Sequence, residues 1–233
     1  MALVNVIPDL GGSFEYLIRA GPGGRIGVAR GRGSATGSTG TAFAWLVVEG
    51  GEGQVVTGTV TTDVGGRVDV FDGPGWSVFL GPKTPFAIRG HLRYAIMGRS
   101  WTTGSAPRIL EPAEVLEAPG PQGSSVRTYL HDGPMACGET VHAPGGWVSW
   151  RTHKPPLESM FLYRLPNDGG FAIQIMDTRA GGRRAELVTD GEVRRIRRGE
   201  HPVVSAPTGA MVTVWALAGR DETSAADLVA PSA

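Results

Sequence analysis

Glycine and proline interrupt this chain so often that little room is left for helix: 36 glycines and 17 prolines are spread over 233 residues. Glycine weakens a helix interior and proline breaks one, whereas both are at home in tight turns. The chain is nevertheless 41% hydrophobic. Apolar runs such as Phe43 to Val48 and Met211 to Leu217 need a core, which argues against a disordered glycine-rich polymer. Many short strands joined by turns are therefore expected.

The strand pattern runs in two halves. In the first, Ala42 to Glu49 reads as a strand, and Gly65 and Gly66 as a turn. Arg67 to Pro82 reads as two strands about a Gly-Pro-Gly turn, with Val68 and Val70 on one face and Asp69 and Phe71 on the other. Ile88 to Met97 is the next strand. From Ser100 to Ser125 the chain carries Pro107, Pro112, Pro119 and Pro121 and reads as a connector. Beyond it, strands are expected at Val126 to Leu130, Cys137 to Val141, Gly146 to Thr152, Met160 to Leu165 and Phe171 to Met176, then at Glu186 to Val188, Gly191 to Ile196, Pro202 to Ala206 and Met211 to Ala218. Short strands at such spacing imply a sandwich or barrel, and a closed double-sheet barrel leaves the fewest exposed edges. The expected fold is all-β, a duplicated jelly roll: an N-terminal barrel over 1–105, a connector over 106–125, a C-terminal barrel over 126–220 and a polar tail over 221–233.

Charge narrows the partners. Lys+Arg and Asp+Glu number 22 each, so no global field draws the chain to nucleic acid or to an anionic membrane, and a small molecule is the expected partner. The start, MALVNVIPDLGG, lacks a basic region followed by an apolar run, and no segment has the length to span a bilayer. Cys137 is the single cysteine and makes no internal bridge, which suits a reducing cytoplasm and reads as a buried, inert thiol. The arginines between Arg194 and Arg198 read as a solvated strand face that keeps an edge soluble. The glycines from Gly31 to Gly40 lack the order of a nucleotide-binding loop. Oligomeric assembly is open, with a homo-oligomer among the expectations.

The residues that carry chemistry cluster in the second half. His153 follows Trp147, Ser149 and Arg151 at period two, Glu158 opens the next strand with Met160 and Leu162 on its side, and His201 stands at a strand entry after Gly199. Two imidazoles and a carboxylate brought into one barrel form a facial triad for Zn, Mn, Fe or Ni with open positions for substrate. The competing reading makes both histidines ordinary turn and strand-end residues. Trp147, Trp150 and Tyr163 are candidates to shape a sugar pocket or simply to fill a core.

Several segments together resemble the 5-deoxyglucuronate isomerase family of inositol catabolism, bicupins related to 5-keto-4-deoxyuronate isomerase. They are GGRVDVFDG with SVFLGP, VRTYLHD, GGWVSW with HK, LESMFLYRL, and RRGEHPVVSAP with VWALAGR, in that order. The resemblance implies two double-stranded β-helix barrels and an aldose–ketose isomerase acting on a deoxyuronate-like carbonyl compound. It also implies a divalent metal in the C-terminal cupin, held by an H-x-H pair, a glutamate and a distal histidine. This chain departs from that set. One alignment puts Pro155 at the second histidine and can drop the glutamate position onto Ser159. The preferred alignment puts Arg151 at the first and keeps His153, Glu158 and His201 as ligands. A guanidinium at 151 repels a cation but can clamp a substrate carboxylate. Arg127 and His131 match the family's run near the pocket mouth. The substrate-contacting candidates are thus Arg151, Trp147, Arg127 and Tyr163, with the catalytic base unassigned. Two other functions fit the same cavity: a repurposed cupin of specialised metabolism carrying out another isomerisation, cyclisation or elimination, with or without metal, and a non-catalytic binding cupin.

Overall fold

The computed structural model describes residues 11–18, 25–130, 133–148, 158–166, 170–177, 182–197 and 199–219. The chain divides into two units, Met1–Val115 and Leu116–Ala233. Among the described residues, no helix is long and apolar enough to cross a membrane.

The first unit is a nine-stranded antiparallel sheet. Its strands are β1 (Gly11–Ile18), β2 (Ile26–Ser38), β3 (Ala42–Gly50), β4 (Glu52–Thr57), β5 (Val60–Gly65), β6 (Ser77–Leu80), β7 (Pro85–Gly90), β8 (Arg93–Ser100) and β9 (Arg108–Leu110). They pair in the order β5-β4-β7-β2-β8-β3-β6-β9, with β1 against β2. One face of the curled sheet closes on Leu46, Val48, Val55, Val78, Ile88, Tyr94 and Ile96. The alternation is visible in β3, where Leu46 and Val48 point to that core while Trp45 and Val47 point away, all four fully buried. The Trp45 indole donates to Ser77 Oγ at 3.0 Å, so its polar edge is satisfied.

The glycine cluster finds its place here, and two expectations change. The glycine cluster around Gly31 lies inside β2, where the ring of Tyr94 occupies the space a Cβ at Gly31 would need. The anticipated strand from Ile88 to Met97 is two strands, because Gly90 turns the chain at φ 99° between β7 and β8. The segment after Arg67 is a turn rather than a strand. There the Asp72 carboxylate accepts the backbone N–H groups of Val68 and Asp69 at 3.0 and 3.2 Å, and Asp69 accepts that of Phe71 at 2.8 Å. Short carboxylates that capture neighbouring amides compete with a sheet ladder. Val68 is consequently 75% exposed while Val70 is buried.

The second unit pairs two sheets. Its strands are β10 (Leu116–Pro119), β11 (Ser125–Leu130), β12 (Ala136–His142), β13 (Trp147–Val148), β14 (Glu158–Arg164), β15 (Ala172–Asp177), β16 (Arg183–Val188), β17 (Val193–Ile196), β18 (Val203–Ser205) and β19 (Met211–Ala218). Six form the order β10-β11-β12-β19-β14-β17 and four the order β13-β18-β15-β16, all antiparallel. Both sheets turn one face to a shared core of Ala136, Val148, Phe161, Tyr163, Ala172, Val188, Ile196, Val203, Met211 and Trp215. The division between units falls within the proline-rich stretch, where β9 pairs with β6 and β10 with β11. Cys137 is buried on β12, and burial pushes its thiol pKa well up.

Candidate functional site

The two barrels differ in what fills them. Among the described residues, the core of the first unit is built on hydrophobic side chains, Tyr94 among them. The second barrel carries polar groups on its inner face. Tyr163 Oη donates to Gln174 Oε1 at 2.7 Å, and Gln174 Nε2 donates to the His201 carbonyl at 3.3 Å. Tyr163 and Gln174 are both almost fully buried. Burial drives the Tyr163 phenol pKa up, and the nearby Arg194 guanidinium only partly offsets it. The phenol is therefore a neutral donor at any physiological pH.

His201 is 3% exposed, with its ring tilted against Phe161 at 5.3 Å between centroids. Since Phe161 belongs to the barrel core, His201 meets the interior. Its Nδ1 lies 3.4 Å from the Gly199 carbonyl.

Glu158 has a different setting. Directly opposed residues of antiparallel strands share a face. Ser159 stands opposite Leu217 and Ile196, Phe161 opposite Trp215, and Tyr163 opposite Thr213. Leu217, Ile196 and Trp215 are core residues, so Ser159, Phe161 and Tyr163 are the side chains that β14 turns inward. Glu158, Met160 and Leu162 occupy the other face, with Ala218, Ala216 and Val214 opposite them. The Glu158 carboxylate is 1% exposed and meets Arg195 Nε at 3.6 Å and Arg197 Nε at 3.2 Å. Counting by twos from the start of the strand grouped Glu158 with Met160 and Leu162, and that grouping holds. What the count lacked was an anchor to say which set faces the core.

The remaining candidates are placed as follows. Arg127 lies on the face of β11 opposite Val126, which packs on the core, and its guanidinium reaches Glu139 at 3.3 Å and Glu117 at 3.5 Å. Tyr129 Oη donates to the same Glu139 at 3.0 Å. Trp147 is half-buried on the face of β13 opposite the core residue Val148. Arg151, His153, Pro155, Trp150 and His131 lie outside the described residues. Among the described residues, no three His, Cys, Asp or Glu side chains stand close enough to hold a metal ion. They do not fit a centre built on Glu158, whose carboxylate is committed to two guanidiniums on the face away from Phe161 and the His201 ring.

Gln174 is an interior polar residue that sequence reasoning passed over; Ser159 entered it only as an alternative place for the family's glutamate, and Arg194 only as part of a solvated face. Arg194 stands opposite Phe161, and its guanidinium pairs with Glu186 and with Glu192 and donates to the Leu187 carbonyl at 2.8 Å. It was expected on a solvated face; its ion partners lie on or near β16 and β17 instead. A lone arginine gives no sign of this, because its partner lies in another sheet.

Two double-stranded β-helix barrels in one chain make a bicupin. The family model for the KduI/IolB family matches residues 27–229. The chain belongs to the KduI/IolB family, whose members include 5-keto-4-deoxyuronate isomerase and 5-deoxyglucuronate isomerase. Among solved structures it is similar to an IolB-like protein from Salmonella typhimurium, with a TM-score of 0.78 and 19% identity over 85% of each chain. It is also similar to oxalate decarboxylase from Lactobacillus farciminis, solved as a formate complex, with a TM-score of 0.63 and 9% identity over 86% of this chain and 78% of that one. The oxalate decarboxylase of Bacillus subtilis, an enzyme with Mn(II) centres, gives a TM-score of 0.59 and 11% identity over 86% and 70%. At such identities these likenesses establish the fold. No curated protein matches the chain.

Proposed function

We propose that this protein is an intramolecular oxidoreductase that interconverts an aldose and a ketose, with a deoxyuronate or a similar small polar carbonyl compound as substrate. The reading is carried by the family match, which spans both barrels from residue 27 to 229. The polar interior of the second barrel agrees with it, because an open-chain sugar needs hydrogen-bonding groups inside an otherwise apolar cavity.

In this chemistry a base removes the proton from the carbon beside the carbonyl, the electron pair forms the enediol double bond, and the carbonyl oxygen takes a proton. Return of a proton to the former carbonyl carbon, while the neighbouring hydroxyl gives up its own, exchanges the positions of carbonyl and hydroxyl with no net gain of protons and no outside oxidant or reductant. The His201 imidazole, buried beside Phe161, is suited to carry that proton. Tyr163 and Gln174 orient the polar end of the substrate, and the apolar wall excludes water. Within the family a divalent metal would polarise the carbonyl. Because Glu158 is turned to Arg195 and Arg197, no step here is assigned to such an ion.

The test is to incubate the purified protein with 5-deoxyglucuronate in heavy water and follow it by NMR. A new ketose with deuterium at the exchanged carbon is expected, and His201→Ala should slow its formation by a factor of about 100 or more. Absence of turnover above background, with zinc or manganese supplied and without, would exclude the isomerase. A second reading, a repurposed barrel performing another isomerisation, cyclisation or elimination, is favoured by Ser159 on the inward face. It predicts no turnover of uronates but retained binding of a small polar compound.

A further inference from the structure

We propose that β14 serves the interior of the C-terminal barrel through Ser159 and not through Glu158. Ser159 Oγ is a hydrogen-bonding contact for a polar group of the bound small molecule, and Glu158 is a fastening between β14 and β17. The proposal deepens the reading of this barrel as a small-molecule site, but it concerns binding rather than turnover.

Two independent observations carry it. The first is register: Ser159 opposes the core residues Leu217 and Ile196, and Glu158 opposes Ala218 on the reverse face. Bringing Glu158 inward needs a one-residue slip of β14, which would expel Phe161 and Tyr163 from the core at the same time. The second is hydrogen bonding. Ser159 is fully buried and its Oγ has no partner among the described residues. A buried hydroxyl left unpaired is destabilising, a cost removed when a ligand supplies the missing partner. Glu158 is the opposite case: Arg195 and Arg197 come from β17 and the residue just after it, so the three charges tie two neighbouring strands together. His201 lies beside Phe161, the next residue of β14 after Ser159 to face the core, so the hydroxyl and the imidazole both belong to the inward side of the barrel.

Calorimetric titrations of the full chain with zinc chloride and with D-glucuronate test both halves. Glu158→Gln is expected to keep zinc affinity within twofold of the parent while lowering the melting temperature. Ser159→Cys, close to isosteric, should raise zinc affinity at least tenfold, because a thiolate then joins the His201 imidazole. Ser159→Ala should weaken D-glucuronate binding at least threefold. A tenfold loss of zinc affinity in a folded Glu158→Gln protein would overturn the assignment, and so would a folded Ser159→Cys protein that gains none. D-glucuronate binding that is undetectable in the parent, or undiminished in Ser159→Ala, overturns the hydroxyl contact. None of these readouts requires turnover, so a failed isomerase assay leaves them intact.

Discussion

His142 shows how strongly one side chain can couple this fold to pH. It is 1% exposed, its Nε2 lies 2.9 Å from Thr213 Oγ1, and its Nδ1 has no partner among the described residues. Burial pushes its pKa from the ordinary 6.5 down to about 3. The folded state therefore holds a neutral ring where the unfolded chain would bind a proton. Stability from this group is present above the unfolded value and is lost as pH falls from 6.5 towards 3, at up to ~1.4 kcal/mol per pH unit. Urea midpoints across that range should fall less steeply for His142→Gln than for the parent, and the difference isolates the imidazole from the carboxylates. Equal slopes would mean that the ring is not held neutral. A sequence that places a histidine at the end of an apolar strand does not reveal this, because the effect depends on water being excluded from every side.

At the level of elements, the informative strand is β17, at the edge of the six-stranded sheet. Its arginines were legible as edge residues, and the edge is where they lie. Their partners were not legible. Arg194 reaches Glu186 and the Leu187 carbonyl on β16, the outer strand of the other sheet, and so joins two edges that no ladder connects. Arg194→Met should cost about 1–3 kcal/mol, since it removes these bonds and leaves Glu186, only 16% exposed, with Arg184 alone. Denaturant unfolding measures this loss, and adding Glu186→Gln should recover part of it. If Arg194→Met is as stable as the parent, the pair closes nothing. The same scale explains the lost strand after Arg67: alternation of Val68 and Val70 is a strand signal, but Asp69 and Asp72 capture the amides that a ladder would need.

For the whole molecule, the second unit depends on the last described strand. β19 lies between β12 and β14, pairing Ala136 with Leu217 and Glu158 with Ala218 across more than half of the unit's sequence. Contacts so distant along the chain make folding slow, on a scale of milliseconds to seconds. They also make the strand indispensable. A chain ending at Gly209 should lose the dispersed methyl resonances of the C-terminal core and become sensitive to protease between residues 116 and 209. Retention of those resonances would show that β12 and β14 can hold their register without β19.

Turn density and apolar runs determined the fold class and most strands of the second half, because those depend on local conformational preference and on a period of two. Which side of β14 faces the cavity was decided only in the tertiary structure. Alternation divides Glu158 from Ser159 but assigns neither to the interior; that choice is made by Leu217, Ile196, Arg195 and Arg197, which lie about forty to sixty residues further along the chain and arrive beside β14 only when the barrel closes.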